Sequence, residues 1–199
     1  MLDVIKLTEE LSVYTAKITG IDNEKLSKDL ELNCNVSIKT VNNIGQQSDI
    51  IITTKNISNL EIKILELLKD FLKIQDDYAL FKWYWTFISD SDNKKSTFHD
   101  HITGYSIEHS REIPQWSLVY YASFPDNLDE DEGKLFFRTK DGKEFSILPE
   151  EGQMILFPSD LPHKPGLNRK STKKRIVFGA NIAVLDRNKK YSKVEKTFI

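Results

Sequence analysis

The sequence lacks the marks of secreted, membrane-spanning and nucleic-acid-binding proteins. Its single cysteine, Cys34, cannot form an internal disulfide, and residues 1–11 mix charged with apolar side chains instead of forming a signal-peptide core. The longest apolar run, at 49–53, is far shorter than the ~20 residues of a membrane helix. A net charge of -2 argues against a surface that neutralises many phosphates. We therefore expect a cytoplasmic protein that binds neither membranes nor nucleic acid.

The length and composition favour one domain. A chain of 199 residues, 39% of them hydrophobic, is long enough to bury a sizeable core. It contains no internal repeat, no low-complexity tract and no interdomain linker. We expect a single domain over 1–199, in which 1–78 supplies helical and strand support and 79–185 forms the core.

Two helices are predicted before residue 78. A strand at 12–18 is followed by Asp22, which is well placed to cap a short helix. Further on, Ser58 and Glu61 have the spacing of a capping box, and apolar residues then recur at helical spacing. This pattern predicts an amphipathic helix over 58–73, with its apolar stripe packed on the outside of a sheet.

The remainder of the chain is strand-like. After Tyr78 the side chains follow a period of two, which predicts one long, largely buried strand. Further strand candidates, separated by turn signals such as Asp141-Gly142, follow at 97–103, 116–124, 134–139, 144–148, 153–157 and 175–183. Many short strands with few helices are typical of a sandwich or jelly roll. We predict a mainly β fold with supporting helices and a jelly-roll (double-stranded β-helix) core.

Three histidines and an arginine form the candidate metal site. Side chains two positions apart on a strand leave the same face, so His99 and His101 can converge on one point. His163, distant in sequence, would complete a face of imidazoles, and Arg175 would hold an acidic cosubstrate behind it. The usual non-haem iron triad contains one carboxylate, so Asp100 is the alternative ligand if a bulge turns it inward. This layout predicts an Fe(II) oxygenase.

Further segments follow the two histidines in a characteristic order. They are residues 133–137 (GKLFF), residues 149–159 (PEEGQMILFPS), His163 and residues 175–178 (RIVF). This order resembles the 2-oxoglutarate and Fe(II)-dependent dioxygenase superfamily, in particular prolyl-hydroxylase-like enzymes and small homologues common in marine bacteriophages. The similarity extends from about 81 to 182, and residues 12–30 and 43–48 resemble the opening of the phage-type group.

The resemblance implies a hydroxylase that couples decarboxylation of 2-oxoglutarate to oxidation of a substrate, with Fe(II) as cofactor and ascorbate as an aid. His99 and His163 would be iron ligands. His101 stands where most relatives have Asp, which raises the net charge of the site by one.

Four residues are implied to bind the cosubstrate. Arg175 matches the cation that pairs with the distal carboxylate of 2-oxoglutarate, and a planar guanidinium suits that role because it donates two hydrogen bonds to one carboxylate. Tyr121 would help to hold the same carboxylate, and Leu135 would line the pocket. Asn181 shares a strand face with Arg175 under period two, so we expect it to contact ligand.

The segment between the His-x-His pair and Trp116 is long enough to act as a lid that selects the substrate. Tyr105 is its first candidate for substrate contact, and His109 is expected to face solvent. We expect Trp83, Trp85 and Trp116 to be core residues.

Two charge clusters, the acidic one at 126–132 and the basic one at 169–174, are expected to be solvated loops. Two other functions remain compatible with the sequence. One is a cupin-like three-histidine metalloenzyme that does not use 2-oxoglutarate, and the other is a non-catalytic barrel that binds a partner. The sequence leaves the primary substrate open between a peptide and a small metabolite.

Overall fold

The computed structural model describes residues 2–36, 39–41, 45–48, 52–74, 78–89, 96–102, 114–130, 132–169 and 171–186. The helices of these ranges are α1 (Asn23–Val36) and α2 (Lys55–Phe71). Neither is long and apolar enough to cross a membrane. The strands are β1 (Asp3–Lys6), β2 (Ser12–Lys17), β3 (Lys39–Val41), β4 (Gly45–Ser48), β5 (Tyr78–Ser89), β6 (Trp116–Ser123), β7 (Leu135–Arg138), β8 (Glu144–Ile147), β9 (Gln153–Pro158), β10 (His163–Pro165) and β11 (Arg175–Asp186).

The strands form two antiparallel sheets. The larger sheet has eight strands in the order β1-β2-β9-β6-β11-β5-β4-β3, and the smaller has the order β10-β7-β8. Strand β11 lies near the middle of the larger sheet and pairs along its length with β5 and along most of it with β6. The predicted mainly β, jelly-roll architecture is confirmed.

Each face of the larger sheet buries its own apolar cluster. On one face the helices contribute Leu26, Leu30, Leu60 and Leu68, which pack with Phe178 of β11. On the other face Val13, Phe157 and Val177 pack against Leu135 and Phe137 of the smaller sheet. Consecutive residues of β11 therefore serve different faces, as a strand period of two requires. Because of this alternation, residues 175, 177, 179 and 181 face the space between the two sheets.

The part of the chain before β5 contributes more than support for the sheet. Asp22 caps α1 as predicted, since its Oδ1 accepts a hydrogen bond of 3.1 Å from the Lys25 backbone N–H. Strands β1 and β2 extend the larger sheet beside β9, and β3 and β4 extend it beside β5. Of these four strands, the sequence predicted only β2.

Helix α2 begins three residues before the predicted start. Its N-cap is Thr54, whose Oγ1 accepts a hydrogen bond of 3.3 Å from the Ile57 backbone N–H. Ser58 lies inside the first turn, so the predicted capping box is wrong. Asp29 of α1 explains the shift, because its Oδ2 accepts hydrogen bonds from Thr54 Oγ1 at 2.5 Å and from Asn56 Nδ2 at 2.8 Å. A tertiary contact thus selects the cap.

The predicted strand at 97–103 is also wrong within the described residues 97–102. Only His99 is paired there, in an isolated bridge to His163. The two residues exchange both backbone hydrogen bonds, at 3.1 and 2.9 Å. The backbone of this segment therefore pairs with the smaller sheet at one residue, at the end of that sheet.

The two charge clusters meet in space. Most of their described residues are exposed, as expected, but Glu132 is only 1% exposed. Its carboxylate accepts hydrogen bonds from the backbone N–H of Arg169 and from Arg169 Nε, at 3.1 and 2.9 Å. Burial alone would raise the pKa of Glu132, but these hydrogen bonds lower it below its ordinary value. The expectation of solvated loops is therefore wrong for Glu132, which joins the two loops.

The position of the α2 cap gives a direct stability test. Thr54→Ala should lower the free energy of unfolding by about 0.5–2 kcal/mol, because the helix loses its cap. It also loses the Thr54–Asp29 hydrogen bond. Ser58→Ala is the matched control and should change the stability little, since alanine is a good helix former at an interior position. Chemical denaturation of both variants measures the difference, and equal losses would contradict the assignment of the cap.

Candidate metal centre

Backbone pairing brings the three predicted histidines together. His163 lies on β10 opposite Phe137, and His99 is bound to His163 by the two bridge hydrogen bonds. The His101 backbone N–H donates to the Ser159 carbonyl oxygen at 2.9 Å, which brings this residue to the end of β9. The imidazole centroids of His99 and His101 lie 4.5 and 4.8 Å from that of His163. One ligand atom of each histidine lies within 4.8 Å of the others, so the group could hold a metal ion.

Two of the histidines are oriented by backbone carbonyl groups. His163 Nδ1 donates to the Leu161 carbonyl oxygen at 3.0 Å, and His99 Nδ1 lies 3.4 Å from the Thr97 carbonyl oxygen. A carbonyl oxygen can only accept, so these contacts place the ring proton on Nδ1. Nε2 of each ring is then left with a lone pair for a metal.

The third histidine is oriented by side chains. His101 Nδ1 donates a short hydrogen bond to Asn181 Oδ1 and lies 3.1 Å from Ser117 Oγ. Ser117 Oγ donates to Asn181 Oδ1 at 2.8 Å and lies 2.8 Å from Ser159 Oγ. The polar groups around His101 therefore form one connected network.

Burial keeps the imidazoles neutral. It lowers the pKa of His101 to about 4, and it lowers the pKa values of His163 and His99 below the ordinary value. The neighbouring histidines act in the same direction on His163 and His101, because adding one positive ring disfavours another. Neutral imidazole is the form that binds metals, so the site is in its ligating state at neutral pH.

Asp100 lies between the two histidines in sequence and is not one of the three grouped residues. Its Oδ1 accepts a hydrogen bond of 3.0 Å from the Ile102 backbone N–H. This contact belongs to a local turn, in which an Asp side chain binds the backbone two residues on.

The histidines border a cavity of about 340 Å³ between the two sheets. The four residues predicted to bind the cosubstrate all line the same cavity. Its lining is Gln47, Trp85, Phe87, His99, His101, Val119, Tyr121, Leu135, His163, Pro165, Arg175, Val177 and Asn181. Sequence reasoning thus identified seven of the lining residues, and the lining within the described ranges contains no Asp or Glu.

Arg175 is the fixed cation of the cavity. It is 2% exposed, and its Nη1 donates to the Gly166 carbonyl oxygen at 2.8 Å. Its Nε and Nη2 are buried and have no hydrogen-bond partner among the described residues. These two groups share one edge of the guanidinium, the edge that binds a carboxylate with two parallel hydrogen bonds. The donor pattern therefore fits one carboxylate group.

Tyr121 and Leu135 belong to the lining of the same cavity as the arginine. Both are buried and both line the cavity. Burial raises the pKa of Tyr121, and the positive charge of Arg175 opposes this rise. The phenol stays protonated at neutral pH and can donate a hydrogen bond.

Trp85, predicted as a core residue, packs against the buried cluster between the two sheets and also borders the cavity. Trp85 is half-buried, lines the cavity and lies edge-on to the His101 ring at 5.2 Å. Its cross-strand partner is Gly179, where a Cβ would lie 2.1 Å from the indole. A glycine on the cavity face of β11 was the available signal, because glycine in a strand often marks a close approach. Trp116 instead packs against Tyr14 and Phe71.

Some candidates cannot be placed. Tyr105, His109 and most of the predicted lid lie outside the described residues, as does the side chain of Trp83.

The sequence matches no protein-family profile and no curated protein. The three-dimensional structure is similar to a prolyl-4-hydroxylase from Pseudomonas putida, with a TM-score of 0.61 and 15% identity over 87% of this chain and 92% of that one. It is also similar to a viral collagen prolyl hydroxylase from Paramecium bursaria Chlorella virus-1, solved with 2-oxoglutarate. That match has a TM-score of 0.62 and 15% identity over 85% of this chain and 94% of the other.

A third similar structure is SnoK, a non-haem α-ketoglutarate-dependent carbocyclase of nogalamycin biosynthesis. Its TM-score is 0.65 at 7% identity, over 87% of this chain and 79% of that one. All three structures share the two-sheet architecture across most of their length, and identities this low show the fold alone. The chain therefore has the 2-oxoglutarate and Fe(II)-dependent oxygenase-like fold that its sequence motifs predict.

Proposed function

We propose that this protein is an Fe(II)- and 2-oxoglutarate-dependent oxygenase that hydroxylates a peptide or a small metabolite. The observation that carries the proposal is the combination of three neutral histidines with a buried arginine whose Nε and Nη2 have no partner in the described ranges, all in the wall of one cavity.

His99, His101 and His163 would hold the metal through Nε2. Imidazole nitrogen suits Fe(II), and three ligands grouped on one side leave coordination positions for other molecules. Asp100 is the less favoured ligand, because its carboxylate already accepts the Ile102 N–H.

Arg175 would hold the distal carboxylate of 2-oxoglutarate. Burying a charged group without a partner costs roughly several kcal/mol of desolvation free energy. This cost falls when an opposite charge binds to the group. No described carboxylate pairs with Arg175, and its remaining donors match a bidentate anion. Tyr121 would donate to the same carboxylate, Leu135 would cover the carbon chain, and Asn181 would complete the wall.

Bound Fe(II) and 2-oxoglutarate would supply the oxidising power. In the overall reaction, O2, 2-oxoglutarate and a substrate C–H group would be converted to a C–OH group, succinate and CO2. The chain's own residues bind, orient and exclude water. Trp85, Phe87 and Leu135 give the cavity apolar walls, which strengthens the pairing of Arg175 with a carboxylate. No side chain is required as a general base.

The unpaired thiol of Cys34 suits a reducing, cytoplasmic compartment.

Succinate production in the presence of Fe(II), ascorbate and 2-oxoglutarate tests the proposal, followed by mass spectrometry of candidate substrates for a gain of one oxygen atom. An anaerobic Fe(II) titration should first show one tight site and a charge-transfer band when 2-oxoglutarate is added. Tight metal binding without that band would favour the cupin-like enzyme. No tight metal binding would favour the non-catalytic barrel.

Removal of the arginine should specifically weaken cosubstrate binding. Arg175→Ala should weaken 2-oxoglutarate binding by roughly 100-fold or more, because two hydrogen bonds to a charged group are lost at about 1.5–3 kcal/mol each. Arg175→Lys should weaken it less, since the charge stays but the planar fork is lost. Calorimetry with 2-oxoglutarate on the metal-loaded protein measures both.

Arg138→Ala is the control for this series, because Arg138 is exposed, pairs with Glu144 and does not line the cavity. It should leave 2-oxoglutarate affinity unchanged. An Arg175→Ala protein that binds 2-oxoglutarate like the wild type would contradict the assigned role.

Each grouped histidine should be needed for metal binding. His163→Ala and His101→Ala should each weaken Co(II) binding strongly, because each removes one of three ligands. His109→Ala, the fourth histidine of the chain, should leave it unchanged. Co(II) absorption titrations compare the variants, and equal effects of all three substitutions would contradict the site.

A further inference from the structure

We propose that Asn181 positions His101: its Oδ1 accepts the proton of His101 Nδ1, which fixes the ring and its tautomer so that Nε2 faces the other two histidines. This inference rests on the proposed function. It assigns Asn181 a role through His101, in place of the direct contact with 2-oxoglutarate that its strand face suggested.

The first argument is chemical. The position of His101 is occupied by Asp in most members of the superfamily that the sequence resembles. An ionised carboxylate only accepts hydrogen bonds, whereas a neutral imidazole carries an N–H that needs an acceptor when buried. Replacing Asp by His therefore creates a need for an acceptor next to Nδ1, and Asn181 Oδ1 lies at that place.

The second argument is the arrangement of the strands. Asn181 of β11 and Ser117 of β6 are cross-strand partners, and the two side chains are hydrogen-bonded at 2.8 Å. Because Ser117 donates to Asn181 Oδ1, the amide oxygen is the atom that faces Ser117 and His101. Ser159 Oγ lies 2.8 Å from Ser117 Oγ. The carbonyl oxygen of Ser159 accepts a hydrogen bond from the His101 backbone N–H. Both serines are fully or almost fully buried.

The third argument is the contrast with the other two ligands. His163 and His99 use the backbone carbonyl groups of residues two positions before them. Those acceptors are fixed by the chain itself. His101 takes its acceptors from side chains on two other strands, so its orientation depends on the identity of residue 181 and can be changed by substitution there.

Asn181→Leu removes the acceptor oxygen and leaves a side chain of similar size. It should weaken Co(II) binding by about 10–100-fold, the usual effect of losing the hydrogen-bond partner of a metal-binding histidine. Asn181→Asp keeps an acceptor oxygen in the same place and should retain wild-type affinity or exceed it. In metal-free protein, NMR of the ring nitrogens should show the His101 proton on Nδ1 in the wild type and in Asn181→Asp, and not in Asn181→Leu.

Two controls separate positioning from general damage. Asn33→Leu removes another buried asparagine, in α1 and outside the cavity, and should leave Co(II) affinity unchanged. In a His101→Ala background, Asn181→Leu should have no further effect on Co(II) affinity. A merely structural role would lower the affinity in both backgrounds.

The outcomes distinguish this inference from the proposed function. If the wild type binds no Co(II), the proposed function fails, while the NMR comparison still tests the contact of Asn181 with His101. If Asn181→Leu binds Co(II) like the wild type and keeps the proton on Nδ1, the inference is overturned. A loss of 2-oxoglutarate affinity alone, with metal affinity intact, would also overturn it and return Asn181 to direct cosubstrate contact.

Discussion

The site depends on the reciprocal backbone hydrogen bonds between His99 and His163. These bonds join a segment that is otherwise not part of a strand to the end of the smaller sheet. They place two imidazoles at contact distance although 64 residues separate them in sequence, and the hydrogen bond from His101 to Ser159 adds the third. Because the pairing uses only backbone groups, the side chains remain available for ligand binding. The larger sheet then supplies the opposite wall of the cavity through β11.

Much of this arrangement could be predicted because it follows from strand periodicity. The odd residues of β11 face the cavity, so the joint placement of Arg175 and Asn181 followed from sequence. The cap of α2 could not be predicted, because Thr54 is selected by Asp29 of another helix and local spacing favoured Ser58. The place of Trp85 at the cavity could not be predicted, because an alternating aromatic pattern does not show which face borders a void.

The shape and the electrostatics of the cavity also act together. Gly179 leaves room for the Trp85 indole, which lies against His101 and gives that part of the cavity an apolar wall. Arg175 is buried in the wall of the same cavity, where the centroid of the Phe87 ring lies 5.9 Å from the guanidinium carbon. Low polarity keeps the histidines neutral and makes the unpaired edge of Arg175 a strong attractor of carboxylates. One environment therefore prepares both the metal ligands and the anion site.

The His-x-His arrangement changes where the negative charge of such a site lies. A carboxylate ligand would place a full negative charge against a bound metal, whereas the three neutral imidazoles would leave that metal, like Arg175, without any described acidic neighbour in the cavity. The negative ends of dipoles replace the missing charge one layer further out, since Asn181 Oδ1 and two carbonyl oxygens each accept a ring N–H. Each such hydrogen bond increases the basicity of the ring's other nitrogen. Under the proposed function, the positive charges of a bound metal and of Arg175 would then act together on whatever enters the cavity, which would favour a dianion such as 2-oxoglutarate over a neutral ligand of the same size.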